Sequence, residues 1–348
     1  MQHTTCRIER FVLVPVVAQR FFPFLVMTAS SQPKLMCRLQ LLIILLFSLI
    51  TTTNGQRTHK DSRNHFRDTL LVVKYNLKAS IQAIHLHHSL WRRAFKNQLI
   101  VVQWTQAEIN NYRDVYGLSD TEYRISMIPE ISTENGFFAY EALTTAMITY
   151  PHFAGYLYIH DDMALNVSKL MDLDMNNLWV TAGSQCFPNL NWVNKTNSWC
   201  WWNSKFGLEN IENFLSSRTD LAMEQKECLG SEKTWCSGQS DFFYVPQSLK
   251  DSTLRVLTAY RAYDIFIEIA MPTFHNSYVP KNRTTELTLC TTWGSSRNNY
   301  TFLYDNCKNR GYSLFHPVKL TSAENIAGMV ETMSLVEKGH FAPSNLHL

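Results

Sequence analysis

The chain has 348 residues, of which 45% are hydrophobic and 18% are charged. A chain of this composition can bury a substantial core in one large domain or two small ones, so an intrinsically disordered protein is excluded. The 32 basic and 29 acidic residues give a net charge of +3, which is too small to indicate a nucleic-acid-binding surface.

An apolar run over residues 39–50 is the first element along the chain. A membrane-spanning helix needs about 20 apolar residues, so this shorter run is typical of a signal peptide or a short uncleaved anchor. We therefore predict an N-terminal extension over residues 1–55, with Met36 as an alternative start, and a short stem over residues 56–68. An uncleaved run makes the chain a single-pass type II membrane protein, and a cleaved run makes it a secreted one.

Cysteines and glycosylation sequons independently predict the secretory pathway, in the lumen of the Golgi or the ER. Six of the eight cysteines follow the apolar run, and an even number favours disulfide bonds in an oxidising compartment. Their spacings do not match a zinc site. Four Asn-X-Ser/Thr sequons predict a glycoprotein, at Asn166, Asn194, Asn282 and Asn299.

Beyond the stem, short apolar strands alternate with helices. Strands are predicted at 69–75, 99–104, 123–128, 155–160, 178–182, 238–246 and 311–320, and helices at 80–95, 136–150 and 249–271. This alternation predicts an α/β fold with a mostly parallel sheet covered by helices. We place a single domain of this kind over residues 69–335, followed by a tail over residues 336–348.

A tryptophan-rich region over residues 189–203 stands outside these elements. Clustered tryptophan is either a platform for stacking sugars or the apolar cover of a pocket, and packing is the favoured interpretation.

Two adjacent carboxylates, Asp161 and Asp162, end the apolar strand that begins at Gly155. Buried carboxylates are costly unless a positive group meets them, and ligands of α/β sheets collect at the carboxyl ends of the strands. A Mg²⁺ or Mn²⁺ ion that carries substrate phosphates would supply the positive charge. A solvated Asp-Asp turn is the alternative.

Several other enzyme classes lack their motifs in this sequence. No glycine-rich phosphate loop of the Walker or dinucleotide-binding type is present, which disfavours kinases and dehydrogenases. No Gly-X-Ser-X-Gly segment is present, so a serine hydrolase is not supported either.

Three segments taken together resemble the GT-A class of nucleotide-sugar glycosyltransferases. Residues 156–166 are similar to the acidic metal motif of that class, and residues 268–271 are similar to the Glu-Asp-Ile-Ala-Met segment of exostosin-like transferases. The strand at 239–246 precedes the second segment in the same order. The resemblance implies a GT-A-like fold and transfer of a sugar from a nucleoside-diphosphate donor, first of all a UDP-sugar, to a glycan or protein acceptor.

The resemblance also implies roles for residues near the strand ends. A divalent cation would be held by Asp162, with His160 and His316 as further ligands, although the family motif reads Asp-X-Asp and His160 departs from it. Both histidines could instead be structural. The nucleotide and its diphosphate would be held by a separate set, formed by Lys74, Asn76, Asp161 and Lys319.

Catalysis would depend on carboxylates further along the chain. Glu268 matches the family's catalytic acid, which serves as a base in inverting enzymes and faces the anomeric carbon in retaining ones. Asp264, predicted one helical turn earlier, would share or replace that role. Asp241 is a third candidate carboxylate, which faces either the pocket or an arginine. A place for Glu268 on the solvent face of its helix is the alternative.

Other classes of protein stay open at this point. A non-catalytic GT-A-like protein that binds glycans or a partner is suggested by His160 in the acidic motif. A metal-dependent phosphohydrolase would use Asp161 and Asp162 but needs further His or Asp ligands on neighbouring strands. A secreted, disulfide-linked binding module fits the cysteines but does not explain the buried acids.

Overall fold

The computed structural model describes residues 65–75, 81–92, 94–117, 124–129, 136–188, 202, 206–291, 307 and 312–318. All of them belong to residues 60–348, the larger of the two units into which the chain divides. The predicted extension with its apolar run, the tail and most of the stem lie outside these ranges. No helix within the ranges is long and apolar enough to cross a membrane.

The described residues form strands β1 to β12 and helices α1 to α8, numbered in chain order. The strands are Thr69–Lys74, Asn97–Val102, Arg124–Pro129, Gly155–His160, Ala164–Leu165, Leu178–Thr181, Gln185–Phe187, Trp235–Ser237, Phe242–Pro246, Thr284–Leu287, Leu289–Thr291 and Leu314–His316. The helices are Ile81–Trp91, Gln106–Tyr116, Tyr140–Thr149, Val167–Leu170, Leu208–Ser217, Thr219–Leu229, Lys250–Ala262 and Ile267–Tyr278.

A large sheet organises the described part of the chain. Its seven strands follow the order β10-β6-β9-β4-β1-β2-β3, and β9 is antiparallel to its neighbours while the other strands run parallel to one another. Helix α3 packs on β1 and β4, and α7 packs on α3. The predicted α/β fold class, a mostly parallel sheet covered by helices, is confirmed.

The central strands β1, β2 and β4 are buried along their whole lengths. Central strands of a parallel sheet are covered on both faces, so their sequences are continuous apolar runs rather than alternating ones. This burial fixes the positions of the residues that follow β1 and β4, because both strands end at the same edge of the sheet.

Two disulfide bonds lie in the described residues. Cys186 and Cys236 face each other across the paired strands β7 and β8, and Cys290 is bonded to Cys307. Cys228 is an exposed free thiol. The described residues thus contain disulfide bonds, as the even number of cysteines predicts.

The predicted sequons differ in their surroundings. Asn282 is exposed and is therefore accessible to a glycan. Asn166 is fully buried, and its side chain accepts a hydrogen bond from the Lys169 backbone at the start of α4. The folded chain leaves no room for a glycan at Asn166, so the sequon there is a false signal. Asn194 and Asn299 lie outside the described residues.

The tryptophan-rich region is described only at Trp202. This side chain is fully buried and lies edge-to-face against Phe187, with 5.6 Å between ring centroids. Trp202 is therefore a packing residue, and the remainder of the region lies outside the described residues.

The helix predicted over residues 249–271 is in fact two helices, α7 and α8. They are separated by residues 263–266, where Asp264 has a positive φ of 51°. Pro272 lies inside α8 rather than after it. Because Pro272 has no N–H, the carbonyl of Glu268 lacks its usual helical donor, and the N–H of Gly238 binds it instead at 3.0 Å.

The close packing of Gly155 against Tyr244 generates a stability prediction. Gly155 begins β4, and a Cβ atom added there would overlap the hydroxyl and ring of Tyr244 on β9. We expect Gly155→Ala to lower the free energy of unfolding by about 1–3 kcal/mol, since overpacking forces neighbours to shift. Urea denaturation of the two proteins measures this difference.

A second background isolates the clash. In a Tyr244→Ala chain the overlapping ring is gone, so Gly155→Ala should cost much less there than in the wild type. An equal cost in both backgrounds would contradict the packing explanation.

The buried histidine of α8 generates a pH prediction. Burial lowers the pKa of His275 from 6.5 to about 4, and its Nε2 accepts from the Asn276 amide, 3.3 Å away, when the ring is neutral. A histidine pKa that is lower in the folded state contributes stability above pH 6.5 that is lost as the pH falls towards 4. We expect this residue to account for a loss of about 2 kcal/mol by pH 5.

His275→Gln removes the titrating group but keeps a polar side chain. Its free energy of unfolding should therefore fall less than that of the wild type between pH 7 and pH 5, as measured by chemical denaturation. Parallel pH profiles for the two proteins would refute the assignment to His275.

Candidate active site

The carboxyl ends of β1 and β4 meet near the centre of the sheet. Lys74 and His160 are paired across these strands, and the N–H of Asp161 donates to the carbonyl of Lys74 at 2.9 Å. Asp161 and Asp162 thus lie at the edge where α/β sheets bind ligands, as predicted. The alternative of a solvated turn is wrong for Asp162, which is only 2% exposed.

Strand β9 brings Asp241 to the same edge. Because β9 is antiparallel to β4, the residues that precede β9 lie beside the end of β4. The backbone N–H of His160 donates to the carbonyl of Asp241 at 3.0 Å, and its side-chain Nδ1 lies 2.6 Å from Asp241 Oδ1. The two residues are therefore joined through both backbone and side chain.

A small second sheet brings His316 to Asp162. Strand β12 pairs antiparallel with β5, and the N–H of Val318 donates to the carbonyl of Asp162 at 2.6 Å. His316 Nε2 then lies 3.4 Å from Asp162 Oδ1 and 3.8 Å from Asp241 Oδ2. We call these four residues the acid–histidine cluster: His160, Asp162, Asp241 and His316.

The cluster is buried, and its histidines lie beside its carboxylates. Each member is at most 9% exposed. Burial alone would raise the pKa of Asp241, but His316 and His160 outweigh burial and hold it below its usual value, with Asp162 acting in the opposite direction. Asp241 is therefore a carboxylate at neutral pH, held between two imidazoles.

Tyr75 and His87 form a buried pair behind this edge. The Tyr75 hydroxyl lies 2.7 Å from His87 Nδ1, and each residue is 1% exposed. Burial lowers the pKa of His87 to about 3, against the effect of Asp162, so the ring is neutral. His87 is not recognisable as a site residue in the sequence, because a histidine on the buried side of a helix usually indicates packing.

The predicted nucleotide-binding residues are described only in part. Lys74 is 2% exposed, and its Nζ donates to the Tyr75 carbonyl at 2.9 Å. Asp161 stands next to it at the strand end. Asn76 and Lys319 lie outside the described residues.

The two other predicted catalytic carboxylates have different surroundings. Glu268 is half-buried in the first turn of α8, and its backbone is bonded to Gly238 in the loop that leads to Asp241. Asp264 lies in the loop before α8, so its predicted place one helical turn earlier on the same helix is wrong. Its carboxylate binds Arg261, which also binds Glu141 at 3.1 Å.

The loop before β9 is fixed from several sides. The Thr273 hydroxyl accepts from the N–H of Cys236 at 2.9 Å and lies 3.3 Å from its carbonyl. The Thr181 hydroxyl donates to the carbonyl of Gln239, and the Ser240 hydroxyl donates to the carbonyl of Gly238 at 3.1 Å. These contacts hold the segment that carries Asp241.

The cluster contains two carboxylates, which are the side chains that could contribute oxygen ligands to a divalent cation. Among the described residues, no group of three or more His, Cys, Asp or Glu is arranged to hold a metal ion. Asp162 and Asp241 nevertheless offer two carboxylates around His316. Mg²⁺ and Mn²⁺ commonly take one or two protein carboxylates and complete their coordination with phosphate oxygens and water.

Comparisons with known proteins give distant similarities in structure alone. No family model matches the chain, and no curated protein is similar to it. The glycosyltransferase GlyE of Streptococcus pneumoniae TIGR4 matches 79% of this chain at 11% identity and a TM-score of 0.36, and the match covers 63% of GlyE. The chain therefore spans less than two thirds of that protein's length.

A viral system supplies a second solved structure. A glycosyltransferase involved in the glycosylation of the major capsid of PBCV-1 matches 78% of this chain at 9% identity and a TM-score of 0.32. That match covers 99% of the PBCV-1 protein.

The contacts of Thr273 generate a prediction about the loop before β9. Thr273 is fully buried, and Thr273→Val keeps its shape but removes the hydroxyl that binds the backbone of Cys236. We expect a loss of about 1–3 kcal/mol in the free energy of unfolding, because buried backbone groups are left unsatisfied. Thr273→Ser, which keeps the hydroxyl, is the control, and urea denaturation should show it to be the more stable variant.

Proposed function

We propose that the chain is a glycosyltransferase that transfers a sugar from a nucleoside-diphosphate donor, with UDP as the expected nucleotide, to a hydroxyl of a glycan or protein. The observation that carries this proposal is the meeting of Asp161, Asp162, Asp241 and His316 at the carboxyl edge of the sheet. That edge is where a diphosphate would bind in an α/β fold. The similarity of residues 156–166 and 268–271 to GT-A motifs supports the same reading.

The diphosphate would bind at the end of β4. A divalent cation bound there supplies positive charge that stabilises the departing nucleoside diphosphate. Asp162 and Asp241 would hold the cation, and the N–H of Asp161 donates to the carbonyl of Lys74 at the same strand end. Lys319, two residues after the proline that follows His316, is the expected partner of the phosphates.

Glu268 is the proposed base or anomeric-side carboxylate. It stands in the first turn of α8, and the Gly238–Glu268 hydrogen bond ties that turn to the loop of Asp241. A half-buried carboxylate in this place is suited to accept the proton of an acceptor hydroxyl. Asp264 is not assigned a catalytic role, since its carboxylate is paired with Arg261.

We place the reaction in the lumen of the secretory pathway. Both disulfide bonds require an oxidising compartment to form, and the sequon at Asn282 is exposed. The apolar run at 39–50 would deliver the chain there, as a type II membrane protein or as a secreted protein after cleavage.

Nucleotide binding tests the proposal directly. We expect titration calorimetry with UDP, GDP and CMP to show a preference for UDP that depends on Mn²⁺. Asp162→Asn keeps the size of the side chain but removes its charge, so it should weaken UDP binding at least about tenfold, which corresponds to about 1.4 kcal/mol. Asp251→Asn is the matched control, because the Asp251 side chain is 95% exposed on α7.

Turnover then separates transfer from other activities. Mn²⁺-dependent hydrolysis of a nucleotide-sugar in the absence of acceptor supports the transferase. No binding of any of the three nucleotides, with or without Mn²⁺, would refute it and would leave two alternatives, a non-catalytic binding protein and a phosphohydrolase.

A metal-dependent phosphohydrolase is the second candidate. It is favoured by Asp241 and His316, which are the additional ligand types that such an enzyme needs beside Asp162. Release of inorganic phosphate from phosphate monoesters, with nucleotide-sugars left intact, would identify this activity.

A further inference from the structure

We propose that Asp241 supplies the carboxylate that the acidic motif lacks at His160, and that His160 is the positioning residue of Asp241 rather than a cation ligand. The inference rests on the proposed function and specifies which side chains of the cluster would face a cation and its diphosphate.

The side chains of His160 and Asp241 are in direct contact. His160 Nδ1 lies 2.6 Å from Asp241 Oδ1, a short distance that is typical of a charge-assisted hydrogen bond. Because Asp241 is a carboxylate, it accepts only, and Nδ1 must carry the proton of this hydrogen bond. The imidazole at the first motif position is therefore engaged in orienting another side chain.

Asp241 and Asp162 present their carboxylates to the same histidine. Asp241 Oδ2 and Asp162 Oδ1 approach the same atom, His316 Nε2, at 3.8 Å and 3.4 Å. The pair of carboxylates that an Asp-X-Asp motif would supply from one strand thus comes from two strands.

Hydrogen bonds hold the loop that carries Asp241 in place. Gly238 is bound to the Glu268 carbonyl, Gln239 to the Thr181 hydroxyl, and the Asp241 carbonyl to the N–H of His160. A Cβ atom added to Gly238 would lie 3.1 Å from the backbone of Ser184. A metal ligand needs such fixed placement, because hydrogen bonds to the ligand residue set the direction of its donor atoms.

Binding of Mn²⁺ in the presence of UDP tests the inference, with electron paramagnetic resonance of free Mn²⁺ as the readout. We expect Asp241→Asn to weaken Mn²⁺ binding at least tenfold, as Asp162→Asn does. His160→Asn places an amide N–H where Nδ1 now lies, so it should stay within about threefold of the wild type. His160→Asp restores the family motif but sets a second carboxylate against Asp241, so it should weaken binding at least tenfold.

The outcomes distinguish this inference from the proposed function. Failure of the wild type to bind Mn²⁺ with UDP refutes both. Wild-type binding that is matched by Asp241→Asn refutes only the role of Asp241.

The His160 variants give a result that does not depend on the folding of Asp241→Asn. If His160→Asp binds Mn²⁺ as well as the wild type and His160→Asn does not, position 160 is itself a ligand and the inference is wrong. The melting temperature of each variant is measured alongside, so that a loss of binding is compared among folded chains.

Discussion

Strand β9 runs antiparallel between β4 and β6, and the arrangement of the acid–histidine cluster depends on this reversal. In a wholly parallel sheet the residue before a strand lies at the amino edge, away from the ends of its neighbours. The reversal places Asp241, which precedes β9, beside His160, which ends β4. Acids from the end of one strand and the start of another can then share one binding edge.

The burial of this cluster is tolerated because its carboxylates lie beside imidazole rings rather than in apolar surroundings. An isolated carboxylate removed from water would be neutralised by proton uptake or would destabilise the fold. Here Asp241 lies between His160 and His316, and His316 also reaches Asp162. The neutral pair formed by Tyr75 and His87 adds polar groups behind the edge without adding charge.

The sequence predicts the sheet well and the contacts of the site less well. The continuous apolar runs of β1 and β4 identify buried parallel strands because both faces of such strands are covered. The acids after β4 are also predictable, because charged residues at the end of a buried apolar run stand out in the sequence.

The contact between His160 and Asp241 depends on strand pairing between distant segments, which no local pattern specifies. The break at 263–266 is also hidden, because the apolar residues on its two sides read as one helix. Helix α2 was missed although Thr105 and Glu108 form a capping box that marks its start.

The hydrogen bond between the Gly238 N–H and the Glu268 carbonyl links α8 to the loop of Asp241 through main-chain atoms alone. This bond does not use the Glu268 side chain, so that carboxylate stays available for other contacts. The bond depends instead on Pro272, because a residue with an N–H at this position would donate to the Glu268 carbonyl within the helix. A proline, which has no polar side chain, thus sets the connection between α8 and the segment that carries Asp241.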